Sequence, residues 1–387
     1  MHTSKYPDPP KMLPAERIIA VYQAVCSADS ADQLASAIAW EQTVEVVAEA
    51  VHHQRVLDEF VGQVEAVNHQ QGMATITISY NPELVCNRVS ALFNLAYGNV
   101  SMYPGVRLLE LEIPPALADN IGGPGYGIAG IRTLTHTKNQ PLLATALKPR
   151  GTPHQALAEI AAQFASAGGD IVKDDQNLIA ADIAEFSDRV GRCQQAIVEV
   201  NQRKNKHCVY FPHIAGNFTE MSAQLEVCKS LDIKAVLTCP LVVGLDISKQ
   251  LCSSFGMAQM GHPAMSGAFT HAQQQGIDAS VLLGTLYRLA GVDISVFPGS
   301  GGRLSLNTAT TNRIQQRLHQ RIGTIEQTMC CPAGGKSLQT IPALLDQFGN
   351  NAMYLVGGAL LAHVDGIQAA TCEYKKILLE KSQNSVL

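Results

Sequence analysis

From about residue 142, short apolar runs alternate with stretches in which apolar residues recur every three or four positions. The first texture predicts buried strands and the second predicts helices. Eight runs are predicted to be strands: residues 142–148, 170–175, 208–216, 234–243, 255–264, 293–299, 324–335 and 352–359. Strands alternating with helices give a closed (β/α)8 barrel or a doubly wound open sheet. No G-x-G-x-x-G motif follows a first strand, and the count of eight favours the barrel.

The first 120 residues lack this regular alternation. A strand, a helix, an antiparallel strand pair, a second helix and a last strand are predicted, at residues 18–27, 31–42, 61–68, 73–81, 89–98 and 108–114. This mixture indicates a small α+β domain of the ferredoxin-like kind. The glycine-rich stretch at residues 120–130 is the expected junction. The predicted domains are therefore residues 1–120 and a catalytic barrel over residues 121–387.

Composition narrows the functional classes. Of the 387 residues, 46% are hydrophobic and 16% charged, and the net charge is −5 with no basic cluster. Nucleic acid is therefore not an expected partner. The ten cysteines show no C-x-x-C spacing, which is typical of free thiols in a reducing compartment. The polar, proline-rich start resembles no signal peptide, and no run is long enough to span a membrane. A soluble, cytoplasmic protein is expected.

Ionisable and polar residues gather at the carboxyl ends of the predicted strands, where barrel enzymes place their sites. These residues are Lys148, Lys173, Asp174, Asp175, Gln176, His213, His262 and Arg303. A lysine inside an apolar strand is unusual for a solvated side chain, so functional roles are expected for Lys148 and Lys173. His262 is favoured as functional over a core histidine, whereas His213 and Arg303 fit either reading. Strand alternation places Asp175 on the same side as Lys173, and Asp174 on the other.

Two glycine pairs follow the last two predicted strands, Gly334-Gly335 and Gly357-Gly358. In many barrels, backbone N–H groups of these two loops hold a phosphate, and glycine permits the close approach. The pairs therefore predict a phosphate-binding site.

Several motifs, in order, resemble those of the RuBisCO large chain family. They are ALKPRG, GGDIVKDDQN, GHPAMSG, FPGSGGRLS, CPAGG and YLVGGA, with WEQTVE and AYGNV in the N-terminal part. The second is the most specific, and it resembles the family's G-G-x-D-x-x-K-D-D-E motif. The resemblance covers roughly residues 18–375.

The resemblance implies a homodimer, or a larger oligomer built from such dimers, whose site is shared between subunits. Lys173, Asp175 and Gln176 take the places of the magnesium ligands, the first of them carbamylated in the family. Lys148 and His262 take the places of catalytic residues of the first and fifth strands. Four glycines would hold one phosphate: Gly334, Gly335, Gly357 and Gly358. The resemblance also implies that Glu41 and Asn99 reach the site from the partner subunit.

Departures from the family pattern indicate the subtype. Gln176 replaces a carboxylate, which weakens the expected Mg²⁺ site. Arg150, Pro263 and residues 296–298 replace groups that hold the second phosphate in the carboxylase. The mobile loop's lysine is missing, and Arg303 is the nearest cation. The chain therefore resembles the non-carboxylating branch, the RuBisCO-like proteins.

Three functions stay open at this point. The first is enolisation, isomerisation or decarboxylation of a mono-phosphorylated keto sugar or keto sugar acid through an enediolate, without CO2 fixation. The second is 2,3-diketo-5-methylthiopentyl-1-phosphate enolase activity in methionine salvage. The GHPAMSGAFT segment resembles the corresponding segment of those enolases. The third is a binding or regulatory protein with decayed catalysis, which the exchange at Gln176 keeps open.

Overall fold

The structure is a computed structural model that describes residues 16–300, 304–335 and 337–384. Arg303 therefore lies outside the described residues. The strands are β1 Ile18–Val25, β2 Gln63–Gln70, β3 Met73–Tyr80, β4 Val106–Glu112, β5 Leu142–Leu147, β6 Ile171–Asp174, β7 Val209–Phe211, β8 Ala235–Thr238, β9 Ala258–Gly261, β10 Gly276–Ile277, β11 Ile294–Pro298, β12 Met329–Ala333 and β13 Met353–Leu355.

The helices are α1 Ala31–Glu41, α2 Val89–Tyr97, α3 Pro115–Ile121, α4 Gly127–Leu134, α5 His154–Ser166, α6 Ile183–Lys204, α7 Phe218–Ser230, α8 Pro240–Val243, α9 Leu245–Ser254, α10 Ser266–Thr270, α11 Tyr287–Leu289, α12 Thr308–His319, α13 Ile341–Phe348, α14 Gly358–Leu361 and α15 Gly366–Asn384. In the described part of the chain, none is long and apolar enough to cross a membrane.

The chain forms two compact units. The first contains the described residues up to Gly122, together with Met265–Leu289 and Arg321–Ile325. The second contains the described residues of Gly123–Ala264, of Ala290–Gln320 and from Glu326 onward. The domain boundary between residues 120 and 121 stays a prediction.

A five-stranded sheet organises the first unit, in the order β10-β4-β1-β3-β2. Strand β1 is antiparallel to both β3 and β4, and β2 is antiparallel to β3. Within this sheet, strands β1 to β4 lie in the order β4-β1-β3-β2, and α1 and α2 are the intervening helices along the chain. This is the predicted ferredoxin-like arrangement. The two-residue strand β10 pairs in parallel with β4 and was not predicted, because two residues are too few to show a pattern.

The eight predicted strands of the second unit are all present and parallel. They form the rows β13-β5-β6-β7 and β12-β11-β9-β8, and the bridges His213↔Leu237 and Cys330↔Ala352 join these rows into a closed barrel. The (β/α)8 prediction is therefore confirmed. Ile128 and Ile131 of α4 belong to the hydrophobic cluster that fills the barrel. Asp293 anchors this helix, because its carboxylate accepts from the backbone N–H groups of Tyr126 and Gly127.

Candidate active site

Strand alternation sets which side chains of the barrel unit face its interior. Its cluster of buried apolar side chains includes Ala144, Ile171, Phe211, Leu237 and Met260, on five neighbouring strands. A polar layer follows toward the carboxyl ends, two residues after the apolar residue on four of these strands and four residues after Ala144. That layer includes Lys148, Lys173, His213, Cys239 and His262, and Asp175 lies beside the two lysines.

Lys148, Lys173 and Asp175 form the charged part of this layer. Lys148 Nζ lies 3.3 Å from Asp175 Oδ2. Lys173 is 2% exposed, and its Nζ donates to the carbonyl oxygen of Asp174 at 2.8 Å. Burial, and next the charge of Lys148, lower the pKa of Lys173, although Asp175 opposes the shift. Burial alone would raise the pKa of Asp175, but the N–H of Asn177 and the two lysines bring it below its usual value.

Asp174 faces away from the barrel interior, as alternation predicted. It is fully buried and accepts hydrogen bonds from Tyr210 Oη at 2.7 Å and from the His213 backbone N–H at 2.9 Å. It also forms an ion pair with Arg189 of α6. Asp174 therefore ties β6 to β7 and to the helix layer, while Lys173 and Asp175 on either side of it point inward.

His262 follows β9 and is neutral. Burial, and then the charges of Lys173 and His213, lower the pKa of His262 to about 3. Its Nδ1 accepts a hydrogen bond from the Ala264 N–H at 3.2 Å, so the single proton of the neutral ring is on Nε2. His262 is therefore a hydrogen-bond donor through Nε2 rather than a base.

One of the two glycine loops lies beside Lys148. A side chain at Gly357 would begin 3.1 Å from Lys148 Nζ, so this glycine permits contact between the loop and the lysine. Gly357 precedes α14, and Gly358 is its first residue. Gly334 and Gly335 have φ angles of +90° and +69°, a conformation that favours glycine.

The predicted metal ligands do not form a Mg²⁺ site as they stand. Asp175 supplies one carboxylate, and Gln176, half-buried in the turn after β6, supplies at most an amide oxygen. An unmodified lysine at position 173 is no oxygen ligand, whereas Mg²⁺ requires oxygen ligands in near-octahedral geometry. Within the described ranges, no group of three His, Cys, Asp or Glu side chains has metal-binding geometry.

Glu41 and Asn99 belong to the first unit, where the structure brings them together. The side-chain amide of Asn99 donates to Glu41 Oε1 at 2.9 Å. The neighbouring Gln42 accepts from the Val100 N–H at 2.8 Å, which fixes the turn that carries Asn99. The role predicted for the pair in a partner subunit's site stays a prediction.

The sequence motifs do not identify Cys239 as a site residue, and they leave His213 as either a functional or a core histidine. Their side chains approach within 3.7 Å, between Sγ and Nε2, at the ends of neighbouring strands. Neither belongs to a motif, so the only available signal was alternation from the apolar residues Phe211 and Leu237. Applied to every strand end, that signal identifies both residues.

The fold and the polar layer define a (β/α)8-barrel protein with ionisable groups at the carboxyl ends of its strands. The family model "Ribulose bisphosphate carboxylase large chain, catalytic domain" matches residues 127–378. The chain belongs to the RuBisCO large chain family.

Its relatives identify the branch. The 5-methylthioribulose-1-phosphate isomerase of Rhodospirillum rubrum is 30% identical over 93% of this chain and 95% of the relative. The 2,3-diketo-5-methylthiopentyl-1-phosphate enolase of Exiguobacterium sibiricum is 28% identical over 93% of this chain and 92% of the relative. The crystal structure of a Rubisco-like protein from Rhodopseudomonas palustris matches with a TM-score of 0.85 and 33% identity, over 94% of this chain and 98% of that one. The chain is a RuBisCO-like enzyme of the non-carboxylating, isomerase or lyase type, as predicted.

Proposed function

We propose that this chain enolises a mono-phosphorylated ketone and isomerises it or passes it on as the enol. The observation that carries the proposal is the position of Lys148. Its amine lies 3.3 Å from Asp175 and against Gly357 of a predicted phosphate loop. A substrate whose phosphate binds the glycine loops would present its neighbouring carbons to this amine.

Lys148 is the better candidate than Lys173 for contact with the substrate. Its side chain is 36% exposed, whereas Lys173 is 2% exposed. Asp175 orients the Lys148 amine, and the charge of Lys173 also acts on Asp175. In the proposed step, the Lys148 amine first releases its own proton to solvent and then accepts the proton from the carbon next to the carbonyl. The C–H electron pair forms the C=C bond, and the carbonyl oxygen becomes negative.

His262 would stabilise that oxygen. Its Nε2–H is a neutral donor, and a donor of this kind polarises a carbonyl without first losing a proton to the substrate. Return of the proton to the other carbon completes an isomerisation, whereas release of the enol completes an enolase reaction. Mg²⁺ would require a carbamate on Lys173, which would add an anionic oxygen beside Asp175 and Gln176.

Two relatives give the probe substrates, because their names specify mono-phosphorylated ketones. We also propose a homodimer in which Glu41 and Asn99 of the second copy complete the site. Decarboxylation of a phosphorylated keto sugar acid stays a further form of the same enolate chemistry. A decayed, purely binding role is disfavoured, because the polar layer keeps the proton-transfer and donor groups together.

The test follows the proton next to the carbonyl. Purified protein is incubated in D2O with 5-methylthioribulose 1-phosphate or 2,3-diketo-5-methylthiopentyl 1-phosphate, and exchange and product formation are followed by NMR. We expect exchange with at least one of them, and a loss of about 10³-fold or more in Lys148→Met. Lys376→Met, an exposed lysine on α15, is the matched control and should keep full activity. Absence of exchange with both compounds would contradict the proposed function.

A further inference from the structure

His213 and Cys239 form a buried imidazole–thiol pair that the proposed mechanism does not use. Their side chains are 4% and 6% exposed. Each follows an interior apolar residue by two positions, Phe211 in one case and Leu237 in the other, so both occupy the polar layer above the core. The charges of Lys173 and Asp175 act on both side chains, which places the pair near the lysine–aspartate group.

The pair fixes the tautomer of the imidazole. Sγ of Cys239 lies 3.7 Å from His213 Nε2. Thiol sulfur is a weak acceptor, whereas an imidazole nitrogen with a lone pair is a good one, so the S–H donates to Nε2. Burial lowers the pKa of His213 to about 4 and raises that of Cys239 to about 11, so both are neutral near pH 7. The only ring proton of His213 is then on Nδ1.

Nδ1 of His213 is buried and has no hydrogen-bond partner among the described residues. A buried donor without an acceptor costs about 1–3 kcal/mol. By strand alternation, His213 faces the barrel interior, as Lys173 and His262 do. An oxygen atom of a bound ligand would satisfy this donor and remove its cost.

We propose that His213, held by Cys239, is a further catalytic residue: its Nδ1–H donates a hydrogen bond to the second of the two neighbouring oxygens of the enediolate. The inference rests on the proposed function. His262 serves the oxygen that was the carbonyl, and His213 serves the oxygen on the adjacent carbon. No proton leaves His213, since the proton from carbon goes to Lys148. The pair therefore selects ketones that carry a second oxygen on the neighbouring carbon.

Two substitutions at His213 separate the two ring positions. Asparagine places an N–H near the position of Nδ1, whereas glutamine places one near Nε2. We expect His213→Asn to keep deuterium exchange within about tenfold of the wild type. His213→Gln and His213→Phe should lower kcat by about 10²–10³ with little change in KM, as loss of one oxyanion donor does. Equal activities of the asparagine and glutamine variants, or a phenylalanine variant within about threefold of wild type, would overturn the inference.

Substitutions at Cys239 test the tautomer, together with a measurement that needs no turnover. Cys239→Ser keeps a donor to Nε2 and should behave as wild type, whereas Cys239→Ala should lose activity toward the level of His213→Phe. The ¹⁵N chemical shifts of His213 in the free protein report the tautomer directly. We expect Nδ1–H in wild type and in Cys239→Ser, and a mixture in Cys239→Ala. An Nε2–H tautomer in the wild type overturns the inference, whether or not the probe compounds are turned over. Failure to turn over either compound refutes the proposed function separately.

Discussion

The resemblance to the family places the amide of Gln176 where a carboxylate metal ligand is expected. Gln176 follows Asp175 in the turn after β6, so the exchange removes one negative charge next to a carboxylate that already pairs with Lys148. Hard cations bind according to the number and charge of their oxygen ligands. Position 176 is therefore predicted to influence how strongly the site attracts Mg²⁺.

We expect Gln176→Glu to tighten Mg²⁺ binding by about tenfold or more, because it restores an anionic ligand beside Asp175. Titration calorimetry with MgCl2, with and without bicarbonate, measures the effect and also shows whether a carbamate at Lys173 contributes. Asn177→Asp is the matched control, since it adds the same charge at an exposed neighbouring position. Equal Mg²⁺ affinities of the two variants would show that position 176 is not a ligand.

The buried histidines make stability depend on pH. The pKa of His213 is about 4 in the folded chain and about 6.5 when unfolded. Between pH 6.5 and pH 4 the unfolded state therefore binds more protons than the folded state. The free energy of unfolding is unaffected by His213 above pH 6.5 and falls as the pH is lowered toward 4. We expect this one residue to lower the free energy of unfolding by about 2 kcal/mol between pH 7 and pH 5. Urea unfolding of wild type and His213→Asn at both values measures it, and an unchanged pH slope in the variant would contradict the assignment.

At the level of elements, β6 connects the polar layer of the barrel interior with the helices outside the barrel. Lys173 and Asp175 face the interior, and Asp174 between them is held by Arg189 of α6 and by Tyr210 of β7. Because adjacent strand residues point in opposite directions, the outer anchor of Asp174 also fixes the inner direction of its two neighbours.

Loss of this anchor should be costly. Arg189→Met leaves Asp174 as a buried carboxylate without its cation, and we expect a loss of about 3–5 kcal/mol in the free energy of unfolding. Arg192→Met, one turn along the same helix, breaks an exposed pair with Asp188 and should cost under about 1 kcal/mol. Urea unfolding at pH 7 compares the two variants. Similar losses would show that the buried pair has no special role.

Elements were predictable where their patterns were long, and side-chain partners were not. All eight barrel strands were identified, because each is a buried apolar run between helices. The inward direction of Asp175 followed from period-two alternation alone. The pairing of Cys239 with His213 joins residues 26 positions apart and depends on strand register, which no local pattern encodes. Strand β10 was missed because its two residues pair only through contact with β4.

For the whole molecule, the central question is which chain completes each site. Glu41 and Asn99 form their hydrogen bond in the first unit, whereas Lys148 and Asp175 belong to the second. The resemblance to the family implies that the two groups meet between chains. In a symmetric dimer, each site would then take Lys148 from one subunit and Glu41 from the other.

Mixed dimers test this arrangement. Glu41→Gln and Lys148→Met should each be inactive alone, since every site then lacks one group. After the two are unfolded and refolded together, half of the dimers are mixed, and each mixed dimer holds one intact site. We therefore expect about a quarter of wild-type activity from the mixture, measured as deuterium exchange. A mixture of Glu41→Gln with Asn99→Ala is the control and should recover none, because both changes affect the same group. If the first mixture also recovers none while its dimers form normally, each site is built within a single chain.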